Sequence, residues 1–314
     1  MQKKKVHITF KAHSEGEPYQ TDPLPPDVKA FVMEHSEGRM AGHPWKVPAT
    51  PLNIHDDTVF KFMRKVLDSG IRLEAGETFI DRGQERRMKK LVKDTNLAFK
   101  AAVDNPTFEH IRDYYAQNAE YTRFRHDLIK RTIGALSSEG RIEGEFGTQH
   151  SLLHKELLDE GIEVSRTISS ILFGWDPIVC RKLQYGMGPD DVPAIEYKKA
   201  FAELTMPYPW FDSMMCGKPG ELLTDSDVRF LSIVQNAMFD RMSEGRLDDM
   251  LRREDYAAVF LDNGLANPFV SPSKKSDFAG LLDRNARERP KSLAGFLWRR
   301  MKASGEAEKH LAGS

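Results

Sequence analysis

Three polar side chains that could do acid–base or metal chemistry each follow a short apolar run in the first half of the 314-residue chain. They are His13, Glu34 and His150. Imidazole and carboxylate groups are the usual ligands of catalytic zinc, and the same groups act as general bases. If the three apolar runs are strands of one parallel sheet, their ends meet at one edge, so the sequence predicts a single site there.

His150 belongs to the most informative segment, Glu145–His150, which reads EFGTQH. Gly147 permits a sharp turn between a strand and a helix, and His150 would then lie near a helix N-terminus. The helix dipole disfavours a protonated imidazole there, which favours the neutral form that a metal ligand or a base requires. The alternative is a histidine that only caps the helix or packs against it.

His154 follows His150 by four residues, so the two share a helix face. Zinc proteases use this spacing, but they place a glutamate between the histidines, and Ser151-Leu152-Leu153 stand there instead. We therefore expect His154 to be exposed to solvent.

An arginine is the fourth candidate. Asp81 is a reasonable N-cap for a long helix that begins with Arg82, and Arg82 or Arg86 could enter the site to neutralise negative charge on a substrate or transition state. The alternative is a solvated basic face, which is what we expect for Lys89, Lys90 and Lys93.

The elements that must position these residues alternate between strands and helices. Predicted strands are Val6–Phe10, Val28–Met33, Ile71–Leu73, Arg141–Phe146 and Ile162–Ile168, and predicted helices span 82–103, 108–136 and 151–160. The last two strands and the helix between them form a βαβ unit, which favours a parallel sheet. The sequence therefore predicts an α/β fold with a mostly parallel central sheet flanked by helices.

The second half of the chain has a different pattern because prolines divide it into short segments. We predict an α/β domain over 1–172, a mainly helical, proline-interrupted extension over 173–270 and a loosely ordered tail over 271–314. Within these, helices are expected at about 191–204 and 225–252, and an amphipathic helix at Leu293–Lys302. No role is predicted for residues 175–314.

Composition narrows the class of protein. Hydrophobic residues make up 40% and charged residues 30% of the chain, as in ordinary globular proteins. The net charge of −1 provides no overall field to attract nucleic acid or a membrane surface. Cys180 and Cys216 form no CxxC motif, and neither a signal peptide nor a membrane span is evident, so a cytoplasmic protein is expected.

The order of the motifs resembles one superfamily, that of the TraB/Tiki proteins, the ChaN-type haem-binding lipoproteins and the erythromycin-esterase-like enzymes. The resemblance covers about residues 6–168 and is carried by the first histidine, then FVMEHS, DRGQERRM, and EFGTQH followed by LLDEGIEVSR. Members share an α/β core, two Gly-x-x-His motifs, an acidic residue and an arginine. By position these correspond to His13, His150, Glu34 and Arg82 (or Arg86). The second motif is intact, whereas Phe10 stands where the first would have glycine.

The resemblance implies a hydrolase with a small-molecule or peptide substrate. His13, Glu34 and His150 would hold a divalent metal or act directly on a water molecule, and Arg82 would stabilise developing negative charge. One alternative is a non-catalytic protein that keeps the fold and binds a ligand such as haem or a peptide. Another is a scaffold protein in which the proline-rich second half is the functional part.

Overall fold

The structure is a computed structural model, and it describes residues 5–11, 24–36, 65–136, 140–168, 174–205, 225–252, 275–305 and 307. The chain divides into two compact units. The first consists of Met1–Asp94 and Ala119–Ile171, and the second of Thr95–Asn118 and Leu172–Ser314. The predicted break near residue 172 lies beside the unit boundary, but residues 95–118 belong to the second unit rather than the first.

A five-stranded sheet forms the centre of the first unit. Its strands are β1 (Lys5–Lys11), β2 (Val28–Ser36), β3 (Arg72–Glu77), β4 (Arg141–Gly147) and β5 (Glu163–Ile168). They lie in the order β3-β2-β4-β1-β5, and every pairing is parallel. The predicted α/β fold with a parallel sheet and flanking helices is confirmed.

Helices cover one face of this sheet because alternate strand residues on that face are apolar. Among the helices that lie within the described ranges of this half of the chain are α1 (Arg82–Asp104), α2 (Phe108–Leu136) and α3 (Leu153–Asp159). Ile8, Val32 and Phe146 of the strands pack in one buried cluster with Ile129 of α2 and Leu157 of α3. This packing fixes the middle of α2 over the sheet.

The carboxyl end of β3 is attached to α2 and pressed against β2. Thr132 of α2 donates a hydrogen bond to the Gly76 carbonyl at 3.0 Å. A Cβ added to Gly76 would lie 2.8 Å from the Met33 carbonyl oxygen, so the absence of a side chain permits this approach. The ends of β2, β3 and β4 therefore reach one edge of the sheet together, beside α2.

The second unit is helical in the part of the chain that the structure describes. Its further helices are α4 (Trp175–Gln184), α5 (Ala194–Thr205), α6 (Asp225–Phe239), α7 (Glu244–Arg252), α8 (Lys275–Glu288) and α9 (Leu293–Ala303). The predicted mainly helical character of the C-terminal region is confirmed. None of the helices in the described ranges is long and apolar enough to cross a membrane.

Two predictions for this unit differ from the structure. The helix predicted over 225–252 is two helices, because Asn285 bonds the Ala237 carbonyl at the end of α6 and the Ser243 hydroxyl accepts a hydrogen bond from the Arg246 amide at the start of α7. The region predicted as a loosely ordered tail contains the unpredicted helix α8; the amphipathic helix predicted at Leu293–Lys302 is confirmed as α9. Phe278 and Trp298 of these helices are buried in the core of the unit.

Candidate functional site

Glu34 and His150 meet at the carboxyl edge of the sheet. Glu34 lies near the end of β2, and His150 ends a single 3-10 turn, Thr148–His150, that directly follows β4. Because β2 and β4 are neighbours in the sheet, the His150 Nε2 atom lies 3.0 Å from Glu34 Oε1. The Gly147 amide donates a hydrogen bond to the other carboxylate oxygen. The strand, the turn and the glycine together hold the carboxylate against the imidazole.

Arg125, from the middle of α2, supplies the positive charge of this group. Its Nη2 atom lies 2.7 Å from Glu34 Oε1, and its Nε atom donates to Glu77 at the end of β3. The Arg125 side chain is only 12% exposed. Burial alone would lower the pKa of Arg125, but Glu34 and Glu77 raise it above its ordinary value. The guanidinium therefore stays charged and is shared between two carboxylates.

His150 is neutral near pH 7. Burial lowers the pKa of the imidazole to about 4, although the nearby Glu34 carboxylate opposes this effect. A neutral ring that donates its Nε2 proton to Glu34 leaves a lone pair on Nδ1. Nδ1 is buried and has no hydrogen-bond partner within the described part of the chain. The ring therefore presents an oriented, unprotonated basic nitrogen.

The predicted residues divide into three groups. Glu34 and His150 lie together. Arg82 is the exposed first residue of α1, and among the described residues no contact joins it to Glu34 or His150. The arginine beside Glu34 is Arg125 instead. Arg86 is exposed as well. His13 lies outside the described residues, so the predicted metal set of His13, Glu34 and His150 stays a prediction.

Arg125 and Glu77 were missed by sequence reasoning. Arg125 lies inside a long helix that carries many charges, where a solvated side chain is the usual interpretation. One signal was present: Thr122, His126 and Ile129 are spaced by four and three residues, which marks the buried helix face, and Arg125 borders it. A charged residue beside a buried stripe requires a partner in the fold.

Glu34 is a poor direct ligand for a metal in this arrangement. One of its oxygens accepts hydrogen bonds from Arg125 and His150, and the other accepts one from Gly147. A metal bound to this carboxylate would also lie close to the Arg125 charge. Within the described ranges, no group of three or more His, Cys, Asp or Glu side chains is arranged to hold a metal ion. The geometry instead suits acid–base chemistry at His150.

Comparisons with family models, with curated protein sequences and with solved structures gave no match for this chain. The resemblance to the TraB/Tiki, ChaN-type and erythromycin-esterase-like superfamily therefore remains a prediction from the sequence motifs.

Proposed function

We propose that the protein is a hydrolase in which His150 activates a water molecule and Glu34 orients the imidazole. The observation that carries this proposal is the 3.0 Å contact between His150 Nε2 and Glu34, which leaves the Nδ1 lone pair of a neutral ring without a partner among the described residues. A general base whose second nitrogen is held by a carboxylate is the arrangement that orients the ring and stabilises the imidazolium once it forms.

The proposed reaction is the hydrolysis of an ester or a peptide. His150 Nδ1 takes a proton from water while the water oxygen attacks the carbonyl carbon of the substrate. The resulting imidazolium is stabilised by Glu34, whose position is fixed by Arg125. The bond from the carbonyl carbon to the leaving oxygen or nitrogen then breaks, and His150 returns the proton to that atom. Because His150 is 1% exposed, a water at Nδ1 would be shielded from bulk solvent, which strengthens these electrostatic interactions.

The depth of His150 favours a second candidate function. The His150 side chain is 1% exposed, so a substrate cannot reach it without some movement of its surroundings. In a non-catalytic protein that retains the fold, His150 and Glu34 would be buried structural partners, and a ligand such as haem or a peptide would bind at another surface.

A hydrolysis panel separates the two functions. Wild type, His150→Gln and Glu34→Gln would be assayed against esters and peptides, with His154→Gln as a matched control four residues from His150. We expect kcat/KM to fall roughly 10²–10⁴-fold in the first two variants, which is the usual contribution of a general base, and to be unchanged in the control. No hydrolysis by folded wild type, together with haem or peptide binding, would favour the second candidate instead.

A further inference from the structure

A second buried imidazole lies directly beside His150. The ring centroids of His126, from α2, and His150 are 5.0 Å apart, and the ring planes are inclined by 47°. Both side chains are only 1% exposed. His126 Nδ1 lies 3.0 Å from Glu156 Oε2 of α3. Each of the two rings is thus held by a carboxylate through one of its nitrogens.

The carboxylates determine which nitrogen of each ring carries the proton. Burial opposes ionisation of Glu156, but the hydrogen bond from His126 and the nearby Lys130 hold the pKa of Glu156 below its ordinary value. The Lys130 Nζ atom lies 4.0 Å from Glu156 Oε2. An ionised Glu156 accepts the Nδ1 proton of His126, as Glu34 accepts the Nε2 proton of His150. The free lone pairs are then on His126 Nε2 and His150 Nδ1.

These two nitrogens are buried, and neither has a hydrogen-bond partner within the described ranges. Buried polar atoms in proteins are nearly always paired, because leaving one unpaired is energetically unfavourable. Two buried lone pairs on adjacent rings cannot satisfy each other, because both are acceptors. A species that accepts electron pairs from nitrogen would satisfy both at once.

We propose that His126 Nε2 and His150 Nδ1 bind one divalent transition-metal ion of the Zn²⁺ or Co²⁺ type. Metal–nitrogen bonds of about 2 Å at a tetrahedral angle hold two imidazole centroids about 5 Å apart, which agrees with the observed spacing. A histidine ligand typically donates its other N–H to a carboxylate, as both rings do here.

This site differs from the metal set predicted from the sequence. His126 replaces His13 as a ligand, and Glu34 orients a ligand instead of binding the ion. Two protein nitrogens leave further coordination positions for water. The site does not depend on the proposed hydrolase. An ion bound at His150 Nδ1 occupies the lone pair that would otherwise take a proton, so in the metal-loaded protein the ion, rather than the imidazole, would activate the water.

Cobalt titration tests the site directly. Full-length, chelator-treated protein would be titrated with Co²⁺ and followed by its visible absorption, and Zn²⁺ would then be added as a competitor. We expect one Co²⁺ per chain with the intense absorption bands of tetrahedral coordination, displaced by Zn²⁺. We expect His126→Gln to abolish these bands, and Glu156→Gln, which keeps both ligands, to weaken binding about 10–100-fold.

His154→Gln is the control because it removes a histidine close in sequence that hydrogen-bonds the Val164 backbone instead of facing this ring pair, and we expect it to bind like wild type. Absence of the bands in folded wild type, or undiminished affinity in His126→Gln, would overturn the proposal. Binding that is lost in Glu34→Gln but kept in His126→Gln would also overturn it, in favour of Glu34 as a ligand. Because absorption is recorded without substrate, failure to hydrolyse anything contradicts the proposed function and leaves this site standing.

Discussion

Arg125 supplies the positive charge that balances two carboxylates at the site. Glu34 and Glu77 are both close to its guanidinium, with side chains 13% and 7% exposed. Sequence reasoning identified Glu34 and His150 because residues at the ends of parallel strands converge by geometry. It did not identify Arg125, because the periodicity of the 29-residue helix indicates that Arg125 borders the buried face but not which strand residues it contacts.

Replacement of Arg125 by Met should destabilise the protein strongly. The substitution leaves two nearly buried carboxylates without their cation, and breaking a buried ion pair in this way costs about 3–5 kcal/mol. Arg123→Met is the matched control, since Arg123 lies two residues away on the exposed side of α2, where a change within about 0.5 kcal/mol is expected. Urea unfolding of both variants gives the comparison; equal losses would contradict a special role for Arg125.

At the scale of elements, the site depends on the close packing of α2 against the ends of β2 and β3. The strands were predictable from apolar runs bounded by turn residues, and the long helices from their periodicity. The ends of helices were harder to predict when distant residues set them. α6 ends where Asn285, 48 residues away, bonds the Ala237 carbonyl. No feature of the 225–252 segment alone reveals that contact.

Two glycines test this packing in opposite directions. Gly76→Ala would place a methyl group 2.8 Å from the Met33 carbonyl and 3.3 Å from side-chain atoms of Ile129 and Phe146. The backbone must move, so we expect a loss of about 1–3 kcal/mol. Gly134→Ala in α2 meets nothing within 4 Å and should gain about 0.5–1 kcal/mol through helix propensity. Thermal unfolding measures the stability of both variants. A Gly76→Ala variant that is more stable than wild type would show that β3 and β2 do not approach closely at Gly76 and Met33.

At the scale of the whole molecule, the second unit contains its own buried acidic groups. Glu203 of α5 accepts a hydrogen bond of 2.8 Å from the Asp176 amide at the start of α4. Burial raises the pKa of Glu203 to about 8 and that of Asp176 to about 6. Tyr115 donates to the Asp176 carboxylate, and Asn236 bonds Glu203. None of these four residues belongs to the unit that contains Glu34 and His150.

These groups predict that the second unit loses stability as pH rises. The pKa of Glu203 is 4.5 in the unfolded chain and about 8 in the folded one, so between these two pH values the folded state binds more protons. The contribution of Glu203 to the free energy of unfolding is therefore complete below pH 4.5 and falls by about 1.4 kcal/mol per pH unit between pH 4.5 and 8. Glu203→Gln should reduce the slope of the free energy of unfolding against pH by this amount. Glu288→Gln, with a side chain 55% exposed, should not change it. Urea unfolding at pH values from 5 to 8 measures these differences. If the free energy of unfolding depends on pH in the same way for wild type and Glu203→Gln, the prediction is contradicted.

The central claim is that Glu34 and His150 act as one catalytic unit. A double-mutant cycle in kcat/KM, with Glu34→Gln, His150→Gln and the double variant on the best substrate of the panel, tests it most directly. If Glu34 works only through the imidazole it bonds at 3.0 Å, the double variant should be about as slow as His150→Gln alone. The claim would be contradicted if the loss in kcat/KM of the double variant equalled the product of the losses of the two single variants. Single variants with the kcat/KM of wild type would also contradict it.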